Sequence, residues 1–210
     1  IRLFLSGSVV CFCMAEFTDR EIGQFIVNKE GRRDSQGRLT YYNLPRGDGG
    51  GSYEVAGINV KYHPQKAREL KALIVQGKHK QAEDAAIDYI VEYTRKVAAW
   101  HPDIRVACYL RDIAFNRGPT GAAKVLQHAL VTAGTLSGGI DGVVGPMTKA
   151  ASSKHAAEDL LLRLVLSRQW YEREIVGRNE NSKFWPGLVN RWIDAIQVCL
   201  QLGNPYSQRS

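Results

Sequence analysis

Glu30 is the residue whose type and position best suit acid chemistry. It follows Ile22 and Ile26 at helical spacing, on a segment that starts with the capping box Thr18–Glu21 and stops at Gly31. A carboxyl group on this apolar face, beside a glycine-rich loop, is partly desolvated, and desolvation raises its pKa. Glycoside cleavage uses such a protonated glutamic acid to protonate the leaving oxygen. The alternative is a solvated residue at a helix end, although a negative charge there opposes the helix dipole.

Glycoside cleavage normally needs a second carboxylate, as nucleophile or as the base that activates water. The segment that follows the first helix offers Asp34, Asp48 and Glu54. Asp48 precedes the glycines 49–51, in the most exposed context of the three, but an aspartate in a surface turn often has no catalytic role. The identity of the second carboxylate therefore stays open at this point.

Aromatic residues supply flat faces that can stack on sugar rings, although aromatic residues at helical spacing also form ordinary core. Tyr53 and Tyr93 are the two that we take as substrate-binding candidates. The wider set that could line a cleft is Tyr41, Tyr42, Tyr53, Tyr62, Tyr93 and Trp100.

Other site chemistries have little support in the sequence. The five histidines lack partners at metal-ligand spacing, and neither a G-x-S-x-G elbow nor a phosphate-binding loop is present, so we expect no metal and no cofactor. Cys108 and Cys199 lie in apolar helical patterns and are predicted to be buried thiols without a disulfide. The net charge of +7 favours an anionic partner, but the absence of a long basic run argues against nucleic acid.

The pattern of elements predicts a mainly α fold with one insertion. Helical periodicity covers most of the chain, whereas residues 32–62 are rich in glycine and predict a loop or a small β-hairpin. The segment from Asp103 to Leu130 is the most apolar and is expected to form the centre of the molecule, with a break at Gly118 and Pro119. No apolar run reaches the length of a membrane span, so we expect no stable membrane insertion.

Three regions are predicted along the chain. Residues 1–15 are either the end of a secretory signal or an extension upstream of Met14. Residues 16–134 would form the main region, and residues 135–210 a C-terminal helical segment packed on the same domain. We expect a monomer.

Several motifs together resemble the N-acetylmuramidases of glycoside hydrolase family 108. The family's Glu-Gly-Gly-Tyr and Asp-Pro-Gly-Gly motifs correspond to Glu30–Arg33 and Asp48–Gly51. Its Asp-x-Ala-Val-Asn-x-Gly motif corresponds to Asp112–Gly118, which is followed by an alanine-rich helix. Its Asp-Gly-Val-Ile-Gly-Pro-x-Thr and Phe-x-x-Gly-Trp-x-x-Arg signatures correspond to Asp141–Thr148 and Phe184–Arg191.

The resemblance implies a lysozyme-like helical fold, a C-terminal peptidoglycan-binding-type segment at 135–210, and bacterial peptidoglycan as the partner. It also implies that Glu30 is the catalytic acid, that Asp48 or Glu54 assists, and that Asp112 and Asn116 contribute to substrate binding. Asn116 could otherwise simply cap the next helix. Arg32 and Arg33 stand where the family pattern has Gly and Tyr, and they are the departures from it next to Glu30.

Our leading hypothesis is a peptidoglycan hydrolase that cleaves the β-1,4 glycan bond, made in the bacterial cytoplasm and acting in the periplasm or cell wall. The alternative is a non-catalytic wall-binding or phage-structural module that keeps the fold. Endolysin, secretion-associated muramidase and toxin roles all remain open.

Overall fold

A computed structural model describes residues 18–45 and 51–202 of the 210-residue chain. These residues form a mainly helical fold with one small antiparallel sheet, which confirms the predicted fold class. In chain order the elements are α1 (Asp19–Glu30), β1 (Arg32–Arg33), β2 (Leu39–Asn43), β3 (Tyr53–Val55), β4 (Ile58–Asn59), α2 (Pro64–Val75), α3 (His79–Ala98), α4 (Ile104–Thr132), α5 (Pro146–Ser152), α6 (Ala157–Tyr171), a π-helical turn (Glu172–Val176) and α7 (Trp185–Gln201).

Helix α1 begins and ends where the sequence predicts. The backbone N–H of Thr18 donates to the Glu21 carboxylate at 2.6 Å, and the Thr18 hydroxyl accepts from the Glu21 N–H at 3.3 Å, so the capping box is formed. Gly31 ends the helix in an extended conformation, with φ −74°. A Cβ atom on Gly31 would lie 2.7 Å from the Val27 carbonyl oxygen, so the glycine is needed for close approach. Glu30 is therefore the last helical residue, and the chain turns directly into β1.

The glycine-rich insertion forms more regular structure than a single hairpin. Four short strands pair in the order β1-β2-β3-β4, all antiparallel. Glu54 of β3 pairs with Tyr42 on one side and with Asn59 on the other. The sheet packs against the helices through the buried side chains of Val55 and Ile58. This packing places Glu54 and Asn59 near the end of α1.

Helix α4 forms the centre of the molecule, as predicted, and packs against α3, α6 and α7. Its residues from Val106 to Phe115 are buried without interruption. The helix is broken at Gly118, whose φ of 71° and ψ of 163° lie outside the helical region, and Pro119 starts the next turn. Cys108 on α4 and Cys199 on α7 are buried free thiols, which confirms that prediction.

The C-terminal part of the described chain packs on the same central helix. The loop before α5 is fixed by Gln127, whose side chain donates to the Asp141 carboxylate at 2.6 Å and accepts from the Gly142 N–H at 2.8 Å. Helices α6 and α7 lie against α4 and against each other. The predicted division at residue 134 stays a prediction. Within residues 18–45 and 51–202, no helix has both the length and the apolar character needed to cross a membrane.

Candidate functional site

A cavity of about 690 Å³ lies where the end of α1, the sheet, the start of α2 and the break in α4 meet. Its size is in the range of small-molecule binding sites. The residues that line it are Glu30, Glu54, Gly57, Asn59, Tyr62, His63, Tyr93, Phe115, Asn116, Arg117 and Gly118. Four predicted site residues, Glu30, Glu54, Tyr93 and Asn116, are thus brought together in one cavity.

Glu30 lines this cavity from the last turn of α1, and its side chain is only 16% exposed. The turn between β3 and β4 closes over it: a Cβ atom on Gly57 would lie 3.0 Å from the Glu30 Cγ atom and 2.9 Å from the Phe115 ring. Gly57 also has a φ of 73°, a conformation that glycine adopts without strain. A glycine at this position therefore lets the backbone cover the carboxyl group.

Burial raises the pKa of the Glu30 carboxyl above its ordinary value, as the sequence predicts. The guanidinium of Arg191, 2.5 Å from the carboxylate, acts in the opposite direction, and the nearby charge of Asp112 raises the pKa further. The net result is a carboxyl group that holds its proton more firmly than a solvated glutamate does.

Asp112 is fully buried and does not line the cavity. Its carboxylate accepts one hydrogen bond from Arg168 at 2.8 Å and one from Arg191 at 2.9 Å. Burial alone would raise the pKa of Asp112, but the two guanidinium groups together lower it. Asp112 therefore holds Arg191 against Glu30, and this replaces the predicted direct contact between Asp112 and substrate.

Glu54 is half-buried on β3 and lines the same cavity as Glu30. Its strand partner Asn59 also lines the cavity and fixes the nearby loop, since its side-chain oxygen accepts from the Gly51 N–H at 3.0 Å and from the Lys61 N–H at 2.9 Å. Asp48, the other candidate for the second carboxylate, lies outside the described residues.

One wall of the cavity is aromatic. The Tyr93 ring packs edge-on against Phe115, with centroids 6.3 Å apart, and against His63, with centroids 5.2 Å apart. Burial raises the pKa of Tyr93, so its hydroxyl keeps its proton. Tyr53, by contrast, is 9% exposed, does not line the cavity, and packs in the core with the Lys71 ammonium group 4.1 Å from its ring centroid.

The break in α4 lines the cavity next to this aromatic wall. Asn116 lines the cavity while its amide donates to the Asp112 carbonyl oxygen at 2.7 Å, a contact within the helix that orients the side chain. Arg117 also lines the cavity; its Nε donates to the buried carboxylate of Glu172, and its Nη1 donates to the Asn116 carbonyl oxygen at 3.3 Å.

Sequence reasoning missed the residues that surround these candidates. Arg191 was visible only as the last residue of a C-terminal motif, and no spacing connects it with Glu30, 161 positions earlier. Arg168 carries no motif, and the sequence marks His63 only as the residue before the helix-starting Pro64, with no partner at metal-ligand spacing. In the part of the chain that the structure describes, no three His, Cys, Asp or Glu side chains are grouped as a metal site would require.

Comparison with known proteins gives a match at the level of the fold. No protein-family model matches the chain, and no curated protein matches it by sequence. Among solved structures, the chain is similar to the structure of Brucella abortus SagA, with a TM-score of 0.60 and 23% sequence identity. The similarity covers 91% of this chain and 97% of the SagA chain. The mainly helical fold with its small sheet is therefore shared with a solved protein over nearly the whole length of both chains.

Proposed function

We propose that this protein is a glycoside hydrolase that cleaves the β-1,4 glycan bond of bacterial peptidoglycan, with Glu30 as the general acid. The observation that carries the proposal is a desolvated glutamic acid in the wall of a cavity that also contains a second carboxylate, Glu54. Paired carboxylates in unlike environments are the arrangement that glycoside cleavage uses.

Glu30 gives its proton to the glycosidic oxygen as the bond to the leaving sugar breaks. The carboxylate left behind is stabilised by Arg191, which is already 2.5 Å away. Asp112 shares the charge of Arg191, so the arginine supports the ionised product of proton transfer without forcing Glu30 to ionise beforehand. Glu54, or Asp48, activates the attacking water or stabilises the oxocarbenium-like transition state.

The aromatic wall and the polar side chains suit a saccharide. Tyr93 and Phe115 offer apolar faces to a sugar ring, and Asn59 and Asn116 offer amide groups to its substituents. The net positive charge favours approach to the anionic cell wall. This would place the site of action in the periplasm or cell wall.

The residues that depart from the family motif lie away from the cavity. Arg33 donates to Glu83 and to Asn28, both at 2.7 Å, and the Arg32 guanidinium lies over the Tyr42 ring at 5.0 Å. Neither arginine lines the cavity. This favours an active hydrolase over a wall-binding module that has lost its site.

The test measures release of reducing ends from purified peptidoglycan by the wild type and by Glu30→Gln. We expect Glu30→Gln to lower the rate by about 10²- to 10⁴-fold, the usual contribution of a general acid, while circular dichroism shows a folded protein. Glu69→Gln, which changes an exposed glutamate of α2 outside the cavity, is the matched control and should retain activity.

Wild-type activity in Glu30→Gln would assign the acid to another residue. A folded wild type that binds cell-wall sacs but releases no reducing ends from several wall types would instead support the binding module.

A further inference from the structure

His63 occupies a fixed position in the wall of the cavity. Its backbone N–H donates to the Asn59 carbonyl oxygen at 2.8 Å, and the next residue, Pro64, begins α2. The half-buried ring lies between Tyr89 and Tyr93, with centroid distances of 5.5 and 5.2 Å and interplanar angles of 78° and 88°. Two edge-on aromatic contacts and a helix start therefore fix the imidazole.

A hydrogen bond joins the His63 ring to Tyr89. The His63 Nδ1 atom lies 2.8 Å from the Tyr89 hydroxyl oxygen. Burial raises the pKa of Tyr89 and lowers the pKa of His63, so the phenol keeps its proton and the imidazole stays neutral. A neutral imidazole has two tautomers at this contact: either the phenol O–H donates to Nδ1 and the ring proton is on Nε2, or Nδ1–H donates to the phenol oxygen. The first tautomer leaves an N–H donor on the other edge of the ring, and it is the one that the inference below uses.

The Nε2 edge is the part of the ring that remains for a ligand. No hydrogen bond joins Nε2 to any other residue in 18–45 or 51–202, whereas His63 itself lines the cavity that contains Glu30. A neutral donor held beside the aromatic faces of Tyr93 and Phe115 suits an uncharged oxygen next to an apolar group. Hydroxyl and acetamido oxygens of hexosamines have this character.

We propose that His63 is a substrate-binding residue whose Nε2–H donates a hydrogen bond to an oxygen atom of the bound N-acetylated glycan, with Tyr89 holding the ring in the required tautomer. The proposal rests on the proposed glycan-binding function of the cavity. It assigns a role to a histidine that takes no part in proton transfer at Glu30.

Two substitutions of His63 distinguish the contribution of Nδ1 from that of Nε2. The amide of His63→Asn can replace Nδ1 and keep the contact with Tyr89, but it does not reach the position of Nε2. The longer His63→Gln can place an amide N–H near the position of Nε2. His128→Asn is the matched control, because His128 stacks on Trp170 at 4.0 Å and does not line the cavity.

Binding is measured by calorimetry in the Glu30→Gln background, where the ligand survives. The probe is a tetrasaccharide of alternating N-acetylglucosamine and N-acetylmuramic acid. We expect His63→Asn to weaken binding about tenfold, which corresponds to one lost hydrogen bond, and His63→Gln to recover most of the affinity. His128→Asn should bind as the parent does.

The outcomes distinguish this inference from the proposed function. A Glu30→Gln parent that binds no tetrasaccharide would overturn the proposed function and this inference together. A parent that binds, with His63→Asn binding equally well, would overturn the role of His63 alone. Equal weakening by the Asn and Gln variants, with unchanged melting temperatures, would show that ring packing matters and Nε2 does not.

A measurement on the unsubstituted chain covers the case in which the variants do not fold. In nitrogen-15 spectra of the five histidines, His63 should show a protonated Nε2 and an unprotonated Nδ1. Addition of the tetrasaccharide should shift the Nε2 resonance of His63 and leave that of His128 in place. The opposite tautomer, or no shift on saturation, would overturn the proposal.

Discussion

Glu30 and Asp112 share the guanidinium group of Arg191, and burial opposes ionisation of both carboxyl groups, yet their pKa values move in opposite directions. Asp112 is fully buried and accepts from a second arginine, Arg168. Glu30 has one arginine and faces the cavity. Two guanidinium groups in direct contact outweigh the desolvation of Asp112 and lower its pKa. Glu30 contacts one guanidinium group, and the charge of Asp112 adds to its desolvation, so its pKa stays raised although Arg168 also acts on it from farther away.

The difference separates a carboxyl group whose ionised form is stabilised from one that holds its proton more firmly than a solvated glutamate. The lowered pKa of Asp112 favours its ionised form, which holds the guanidinium groups of Arg168 and Arg191 in place beside the cavity. Glu30 lies at the edge of the same network and retains a raised pKa, so proton transfer to a ligand is within its chemistry. Three experiments test this comparison, in order of decreasing expected effect.

The largest effect is expected from Asp112→Asn. The substitution leaves Arg168 and Arg191 close together without their shared anion, and breaking a buried charge network typically costs about 3 to 5 kcal/mol. Urea unfolding measures the change in the free energy of unfolding. Asp88→Asn is the control: its side chain is 72% exposed, so its loss should cost no more than about 0.5 kcal/mol. Equal small losses in both variants would show that Asp112 does not hold the network.

Gly57→Ala tests how much the close packing around Glu30 contributes to stability and activity. The new methyl group would lie 3.0 Å from the Glu30 Cγ atom and 2.9 Å from the Phe115 ring, on a backbone with φ of 73°. We expect a loss of about 2 to 4 kcal/mol from backbone strain and crowding together, and reduced glycan cleavage because Glu30 is displaced.

Gly37→Ala provides the matched control for Gly57→Ala. Gly37 has nearly the same φ, 74°, but no atom lies within 4 Å of the added methyl group. It should therefore show only the backbone cost, about 1 to 2 kcal/mol, with unchanged activity. If the two glycine variants lose the same stability, the close contact at Glu30 has no energetic importance.

The smallest effect is expected in the pH dependence of stability. The pKa of Glu30 is higher in the folded protein than its ordinary value of 4.5, so ionisation of Glu30 is harder in the folded state. The wild type should therefore lose stability relative to Glu30→Gln as the pH rises above 4.5.

Asp112 should show the opposite dependence on pH. Its pKa is lowered, so its contribution is present above its ordinary value of 3.8 and is lost as the pH falls below that value. Denaturation at several pH values compares wild type, Glu30→Gln and Asp112→Asn. Parallel pH profiles for the three proteins would refute the opposite shifts.

The sequence predicts residues that line the cavity better than it predicts the buried charged residues behind them. Glu30 could be found because helical periodicity and the stop at Gly31 are local signals, and both are formed as predicted. Asn116 and Tyr93 also reach the cavity. Asp112 shares a motif and a helix face with Asn116 and is therefore expected to bind substrate, but it lies one helical turn deeper, in the buried interior.

The amino-acid sequence by itself determined the mainly helical class, the helix that ends at Glu30 and the break at Gly118, because caps, glycine and periodicity act within a few residues. Only the tertiary structure decided which charges meet: Arg191 of α7 contacts Glu30 of α1 and Asp112 of α4 across long separations in the chain. It also placed Tyr53 in the core and His63 in the cavity wall. The physical reason is that desolvation and ion pairing depend on distance in space, which the packing of α4 against α3, α6 and α7 sets.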